Sequence, residues 1–197
     1  MQDETRRLLD QIIEKGTGDG VEFMRHMRTT HDLSEFLSDD LKEAHELFEF
    51  TTADFAARTI VRTMAAEFEA QLFLLQGILL HLHKRGKLSL LPEEVVVLRG
   101  KAYSLSHTGE IKSSEKFSPF TANLLFTIKL CGEKFNGSVF ADTQDDNWQH
   151  VLKFVRIRNR LMHPRTMSDV QISERDVESL NRAQDWIRKA FRSVVGR

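Results

Sequence analysis

Arg158, Asn159 and His163 bring a guanidinium, an amide and an imidazole into one short segment that ends at Pro164. Arginine keeps its positive charge throughout the physiological pH range, and histidine is the side chain whose ordinary pKa lies nearest neutrality. The segment therefore holds one group that binds anions and another that transfers protons. It is the strongest candidate in the sequence for a catalytic centre.

The surroundings of this segment are basic. No acidic residue lies between Asn147 and Ser168, whereas the basic residues there are Lys153, Arg156, Arg158, Arg160 and Arg165. Such a local positive field suits a ligand that carries phosphate. The alternative is a solvated basic face of a helix.

Pro164 determines where the helix that carries these residues ends. Proline has no amide proton and disfavours helical dihedral angles at the preceding residue, so we expect His163 to be released at the helix end. In a continuous helix, Arg158 and His163 would lie roughly 140° apart around the axis. A broken end allows the imidazole to approach the guanidinium. The alternative is that His163 only caps the last carbonyl groups of the helix.

The segment from Ile157 to Pro164 resembles the signature of the HEPN superfamily of helical nucleotide-binding domains, in which an Arg and a following polar residue precede a His. The resemblance extends over most of residues 52–195, with a long early helix, the motif at a late helix end and a final helix. It implies a metal-independent endoribonuclease that acts as a homodimer, with two copies of the motif in one cleft. It also implies a toxin or phage-defence setting, with an antitoxin or regulatory protein as a further partner.

RNA cleavage by attack of a 2'-hydroxyl group on its neighbouring phosphate would give each motif residue a role. His163 would accept or donate the proton, and Arg158 would stabilise the charge that develops around phosphorus. Asn159 would orient His163 or the phosphate, because an amide both donates and accepts hydrogen bonds. The candidates for contacts with the RNA backbone are Lys153, Arg156, Arg160 and Arg165. The alternative function is a non-catalytic module that binds RNA, a nucleotide or a protein.

A long helical pattern from about Thr52 to Arg85 is expected to form the spine of the core. Its apolar stripe comprises Phe55, Ile60, Met64, Phe68, Leu72, Leu75 and Leu79. Glu67 and Glu69 flank this stripe, and either would position Arg158 if it approached the basic segment. The favoured alternative is that both are surface carboxylates.

The remaining patterns predict an all-α fold, an antiparallel helical bundle with one small β-hairpin insertion. Helices are expected over residues 5–15, 19–29 and 38–50, from Pro92 to about 101, over 118–132, through Trp148, and after Ser173, where Ser173 and Asp176 resemble a capping box. The apolar residues around His107-Thr108-Gly109-Glu110 indicate two short strands and a turn.

Residues 1–50 are acidic, with thirteen Asp and Glu against six Lys and Arg. We interpret them as an acidic helical N-terminal extension that precedes a helical bundle domain of residues 51–197. The single cysteine and the lack of a secretory apolar run predict a cytoplasmic protein. The most apolar stretch, residues 72–82, is far shorter than the roughly 20 residues that span a bilayer, so no membrane association is expected.

The histidines and Cys131 do not show the spacing of metal ligands. His81 and His83 are two residues apart, which places them on widely separated faces of a helix. The remaining histidines, His26, His31, His45, His107 and His150, are taken to lack a Cys or carboxylate companion at ligand spacing. Cys131 is expected to be a small buried apolar residue. We therefore predict no metal and no cofactor.

Overall fold

The computed structural model describes residues 18–135 and 137–195, and within these ranges the chain is mostly helical. The elements in chain order are α1 (Asp19–Glu46), a 3-10 turn (Leu47–Glu49), α2 (Ala53–Lys84), α3 (Pro92–Leu98), β1 (Lys101–Leu105), β2 (Ile111–Glu115), α4 (Phe120–Lys134), α5 (Asp146–Met162), a second 3-10 turn (Met167–Val170) and α6 (Glu174–Val195). The predicted all-α class with one small hairpin is confirmed. The likeness to the HEPN bundle stays a prediction, and the predicted helix over 5–15 lies outside the described residues.

A single helix, α1, takes the place of the two that the sequence predicted between residues 19 and 50, so that prediction was wrong. Residues 30–37 contain neither glycine nor proline, and nothing in the backbone interrupts the helix there. Leu41 and Ala44 are buried in the same apolar cluster as the residues of α2. The boundary between an extension of residues 1–50 and a domain of 51–197 stays a prediction, although α1 packs directly against α2.

Helix α2 is the spine of the core, as its apolar stripe predicted. Thr52 caps its first turn by accepting a hydrogen bond from the backbone N–H of Phe55 at 3.4 Å. The stripe residues from Ile60 to Leu79 are buried, whereas the side chain of Phe55 is 47% exposed and lies outside the core. Because α2 contacts α1, α4, α5 and α6, its side chains determine how the other helices are placed around it.

The hairpin projects between α3 and α4. β1 and β2 pair antiparallel, with Lys101 opposite Glu115 and Leu105 opposite Ile111, and the predicted turn between them is confirmed. Gly109 has φ of +82°, a conformation that side chains disfavour. Gly100 has φ of +58° and accepts a hydrogen bond from the backbone N–H of Lys116 at 2.8 Å, so it closes the base of the hairpin.

Helices α5 and α6 pack against each other and against α2. Trp148 of α5 and Trp186 of α6 are both buried, with ring centroids 4.8 Å apart. The predicted capping box begins α6: the N–H of Ser173 donates to Asp176 Oδ2 at 3.0 Å, and the N–H of Asp176 donates to Ser173 Oγ at 3.3 Å. Across the described ranges, no helix has both the length and the apolar character that crossing a bilayer requires.

Candidate functional site

The end of α5 carries the motif residues, and Pro164 ends this helix as predicted. Met162 is its last residue, and His163 lies outside the helical region with φ of −133° and ψ of 58°. The backbone N–H of His163 still donates to the carbonyl oxygen of Asn159 at 3.2 Å. His163 therefore stays attached to the last turn through its backbone, while its side chain is exposed.

Arg158 faces α2 and has two partners. One nitrogen of its guanidinium donates to Glu69 in a short ion pair, and Nη1 donates to Oδ1 of Asn159 at 3.2 Å. The side chains of Arg158 and Glu69 are 30% and 48% exposed, so the pair contributes only about 0–1 kcal/mol to folding. Its stronger effect is to hold the guanidinium in one direction. The sequence hypothesis that Glu69 approaches Arg158 agrees with this geometry, and Glu69 is at the same time a surface carboxylate, as the favoured alternative had it.

His163 does not contact Arg158 in the structure. Among residues 18–135 and 137–195, its imidazole has no hydrogen-bond or ion-pair partner, including the last carbonyl groups of α5. The chain thus places both groups at the same helix end without joining them. A ligand or a second molecule would have to complete the arrangement.

Lys153 and Arg160, two of the four candidates for RNA contacts, are engaged with α6. Lys153 Nζ lies 2.8 Å from Asp176 Oδ1, and Arg160 Nη2 lies 3.5 Å from Asp176 Oδ2. Arg160 also donates to the carbonyl oxygen of Gln171 at 2.7 Å. Both cations therefore connect α5 to the start of α6, and the alternative of a solvated face does not describe them either.

Arg156 and Arg165 are the other two candidates, and both are exposed. Within the part of the chain that the structure describes, neither side chain has a hydrogen-bond or ion-pair partner, although the backbone N–H of Arg165 donates to Asp169 Oδ2 at 2.8 Å. These two arginines remain available to a phosphate. Of the basic residues on α5, Lys153 and Arg160 therefore contact α6, whereas Arg156 faces solvent.

Glu67 lies apart from the motif, so both sequence interpretations of it were wrong. Its side chain is 2% exposed, accepts a hydrogen bond from Gln71 at 3.1 Å and lies 3.5 Å from Arg188 of α6. Burial raises the pKa of Glu67, and contacts with Arg188, Gln71 and Ser38 offset this rise in part. Two residues along a helix correspond to roughly 200° of rotation, which could have shown that Glu67 and Glu69 face different sides.

A groove that adjoins Arg158 was missed by sequence reasoning. It has a volume of about 580 Å³ and runs from Arg158 and Glu69 along α2 to the base of the hairpin. Arg99 and Lys116 line its far side, and Phe73 and Phe117 expose 58% and 92% of their side-chain surface. We call it the hairpin groove. Only the pairing of β1 with β2 brings residues 99 and 116 together, so spacing in the sequence gave no signal for it.

For the histidines and the cysteine, the described residues give one correction and one confirmation. His31, Asp32 and Glu35 bring ligand atoms within 4.8 Å of one another, so the statement that His31 lacks a carboxylate companion was wrong. The cluster is exposed, and an ion pair of His31 with Glu35 at 3.6 Å accounts for part of it. Cys131 is buried as expected, and burial raises the pKa of its thiol to about 12.

Comparisons with protein-family models, with curated proteins and with solved structures find no match to this chain. Its function is therefore inferred from the residues and their geometry.

Proposed function

We propose that the chain is a metal-independent endoribonuclease, as its resemblance to the HEPN superfamily implies. One observation carries the proposal: Arg158, Asn159 and His163 lie together at the end of α5, with the guanidinium held by Glu69 and Asn159 and the imidazole exposed. A fixed cation and an accessible proton-transfer group are the two components that cleavage of a phosphodiester beside a 2'-hydroxyl group requires.

The proposed reaction moves two protons, one from the attacking 2'-hydroxyl group and one to the leaving O5' oxygen. His163 accepts the proton of the 2'-hydroxyl group, O2' bonds to phosphorus, and the bond from phosphorus to O5' breaks. O5' then takes a proton from an imidazolium. Arg158 binds the non-bridging oxygens, where negative charge accumulates. The products carry a 2',3'-cyclic phosphate and a 5'-hydroxyl group, and DNA is not cleaved because it lacks the nucleophile.

A homodimer fits this chemistry, because His163 of a second copy would meet Arg158, which His163 of the same chain does not contact. Met162 and Met167, on either side of the exposed His163, are 51% and 79% exposed, and a second molecule would bury them. As parts of the same proposal, the enzyme acts in the cytoplasm in a toxin or phage-defence setting. A second protein, an antitoxin or regulator, restrains it.

The decisive experiment is an RNA cleavage assay in the presence of chelator with the wild type, Arg158→Ala and His163→Ala. We expect the wild type to produce cyclic-phosphate ends and each substitution to reduce cleavage by roughly a hundredfold or more. Arg182→Ala and His107→Ala are matched controls, since both residues are exposed and lie outside the motif. Cleavage that survives Arg158→Ala and His163→Ala would refute the proposal.

A non-catalytic binding module is the second candidate, and one observation favours it. The guanidinium of Arg158 already has an anionic partner in Glu69, and no contact joins it to His163. In that case the purified wild type binds RNA, a nucleotide or a protein without cleaving RNA. The same assay separates the two candidates, because only an enzyme yields cyclic-phosphate ends.

A further inference from the structure

The hairpin groove has the charge that a nucleic acid strand requires. Its ionisable side chains are three cations, Arg99, Lys116 and Arg158, and one carboxylate, Glu69. Arg158 is paired with Glu69, whereas the side chains of Arg99 and Lys116 are exposed and contact no acidic group among the described residues. The groove is therefore electropositive on the side away from Glu69, in a chain whose formal net charge is −1.

The fold holds these two cations at one place. Arg99 ends α3, Gly100 turns the chain into β1, and the backbone N–H of Lys116 donates to the carbonyl oxygen of Gly100 at 2.8 Å. The backbone thus brings Arg99 and Lys116 to the same hairpin base, although they are far apart in the sequence. Two cations at one end of the groove suit successive phosphates of a strand.

Aromatic side chains lie beside the cations. Phe117 directly follows Lys116 and is 92% exposed, and Phe73 of α2 also lines the groove. The exposed ring of Phe117, beside two cations, is a stacking surface for an unpaired base. The bases of a duplex are already stacked on one another, so this surface favours binding of a single strand.

The floor of the groove offers polar atoms to the edge of a base. Gln76, which is 8% exposed, donates from Nε2 to Asn123 Oδ1 at 2.8 Å and to Thr127 Oγ1 at 3.0 Å. These bonds leave the carbonyl oxygen of Gln76 and the amide group of Asn123 for a ligand. One acceptor and one donor that line the same groove are the kinds of group that the edge of a nucleobase pairs with.

We propose that the hairpin groove binds an unpaired nucleotide of single-stranded RNA next to the phosphate that Arg158 holds. Its base stacks on Phe117, and Arg99 and Lys116 bind the adjoining phosphates. This inference rests on the proposed function for the identity of the cleaved strand. The RNA then follows the hairpin groove rather than Lys153 and Arg160, because these two cations are paired with Asp176.

The test measures the affinity of the full chain for a short 2'-O-methyl RNA, which cannot be cleaved by 2'-hydroxyl attack. We expect Phe117→Ala to weaken binding roughly 5- to 150-fold, the range for loss of one base-stacking contact. The double variant Arg99→Ala with Lys116→Ala should lower the slope of log affinity against log salt by about 1.4, because each contact to a single strand contributes about 0.7. A duplex of the same sequence should bind the wild type more weakly and respond little to Phe117→Ala.

Phe50→Ala and Lys129→Ala are the matched controls, since both residues are exposed and neither lines the groove. Unchanged affinity and salt slope in the groove variants would overturn the inference, and so would a wild type that does not bind the RNA. Conversion of a dimer to a monomer by Phe117→Ala, measured by sedimentation, would also overturn it by showing that the groove is a protein interface. A different result would refute the proposed function and leave the groove inference intact: the groove variants lose RNA affinity, but the wild type does not cleave ordinary RNA.

Discussion

Glu69 has two opposing effects on Arg158 in the proposed reaction. Its carboxylate orients the guanidinium, and its negative charge competes with the phosphate that the guanidinium has to bind. We expect Glu69→Gln to lower KM, because a negative charge leaves the RNA site. We also expect kcat to fall by about tenfold, because Arg158 loses one of its two fixed contacts. Steady-state cleavage of a labelled RNA gives both constants.

A fall in both KM and kcat distinguishes a positioning residue from a merely structural one. Partial loss of fold would lower the apparent kcat and leave KM unchanged, whereas a surface charge without a role would leave kcat unchanged. Glu178→Gln is the appropriate control, since Glu178 is an exposed carboxylate paired with Arg182 at 2.8 Å on α6. A kcat equal to that of the wild type would contradict the positioning role of Glu69.

The position of the motif at a helix end was predictable from the sequence, because its signal is local. Arg158, Asn159 and His163 lie within one helical turn and its end, and a proline marks that end. The partner of Glu67 was not predictable, because Arg188 is far away in the chain and meets it only when α6 packs on α2. Arg99 and Lys116 were missed for the same reason, since the hairpin brings them together.

At the scale of elements, Asp176 joins α5 to α6. It accepts from the N–H and Oγ of Ser173 in the capping box, forms an ion pair with Lys153 and lies 3.5 Å from Arg160. We expect Asp176→Asn to lower the free energy of unfolding by roughly 1–3 kcal/mol, because two cations lose a partly buried partner while an acceptor oxygen remains for the cap. Urea denaturation measures this change.

The same substitution should raise RNA affinity, because Lys153 and Arg160 become available to phosphate. Burial acts to raise the pKa of Asp176, but hydrogen bonds from Lys153 and Ser173 hold it below its ordinary value of 3.8. A lowered pKa stabilises the folded state above pH 3.8, and this contribution is lost as pH falls through the lowered value. The difference in the free energy of unfolding between the wild type and Asp176→Asn should therefore disappear in acid. Glu174→Gln, an exposed carboxylate of the same turn, should change neither quantity.

Elements were predictable where the sequence contains a capping or breaking residue. Thr52 begins α2, Ser173 and Asp176 begin α6, and Pro164 ends α5. The prediction of two helices in place of α1 was wrong because capping residues alone were taken as a signal. Polar residues in the middle of the helix resembled a new start, but without glycine or proline they did not interrupt it. Phe55 was assigned to the core by its spacing, but it is 47% exposed, whereas Ala56 and Ala57 of the same turn are buried.

At the scale of the whole molecule, one chain supplies Arg158 and His163 at the same helix end but does not bring them into contact. In a symmetric dimer, Arg158 of one copy and His163 of the other would complete each site. The two exposed methionines beside the motif, Met162 and Met167, are the surface that such a dimer would bury. If the site is shared in this way, a mixture of two different inactive variants should recover activity.

Mixing Arg158→Ala with His163→Ala in equal amounts, under conditions that allow subunit exchange, tests this arrangement. A mixed dimer then holds one site with both residues intact and one site with neither. Random exchange makes half of the dimers mixed, and one of the two sites in each mixed dimer is intact. About a quarter of the wild-type RNA cleavage should therefore return. Each variant alone should stay inactive, and a mixture of His163→Ala with the double variant should stay inactive as well. If exchange is verified by labelled subunits and no cleavage returns, the site is not shared between copies, and Arg158 must meet His163 within one chain when RNA binds.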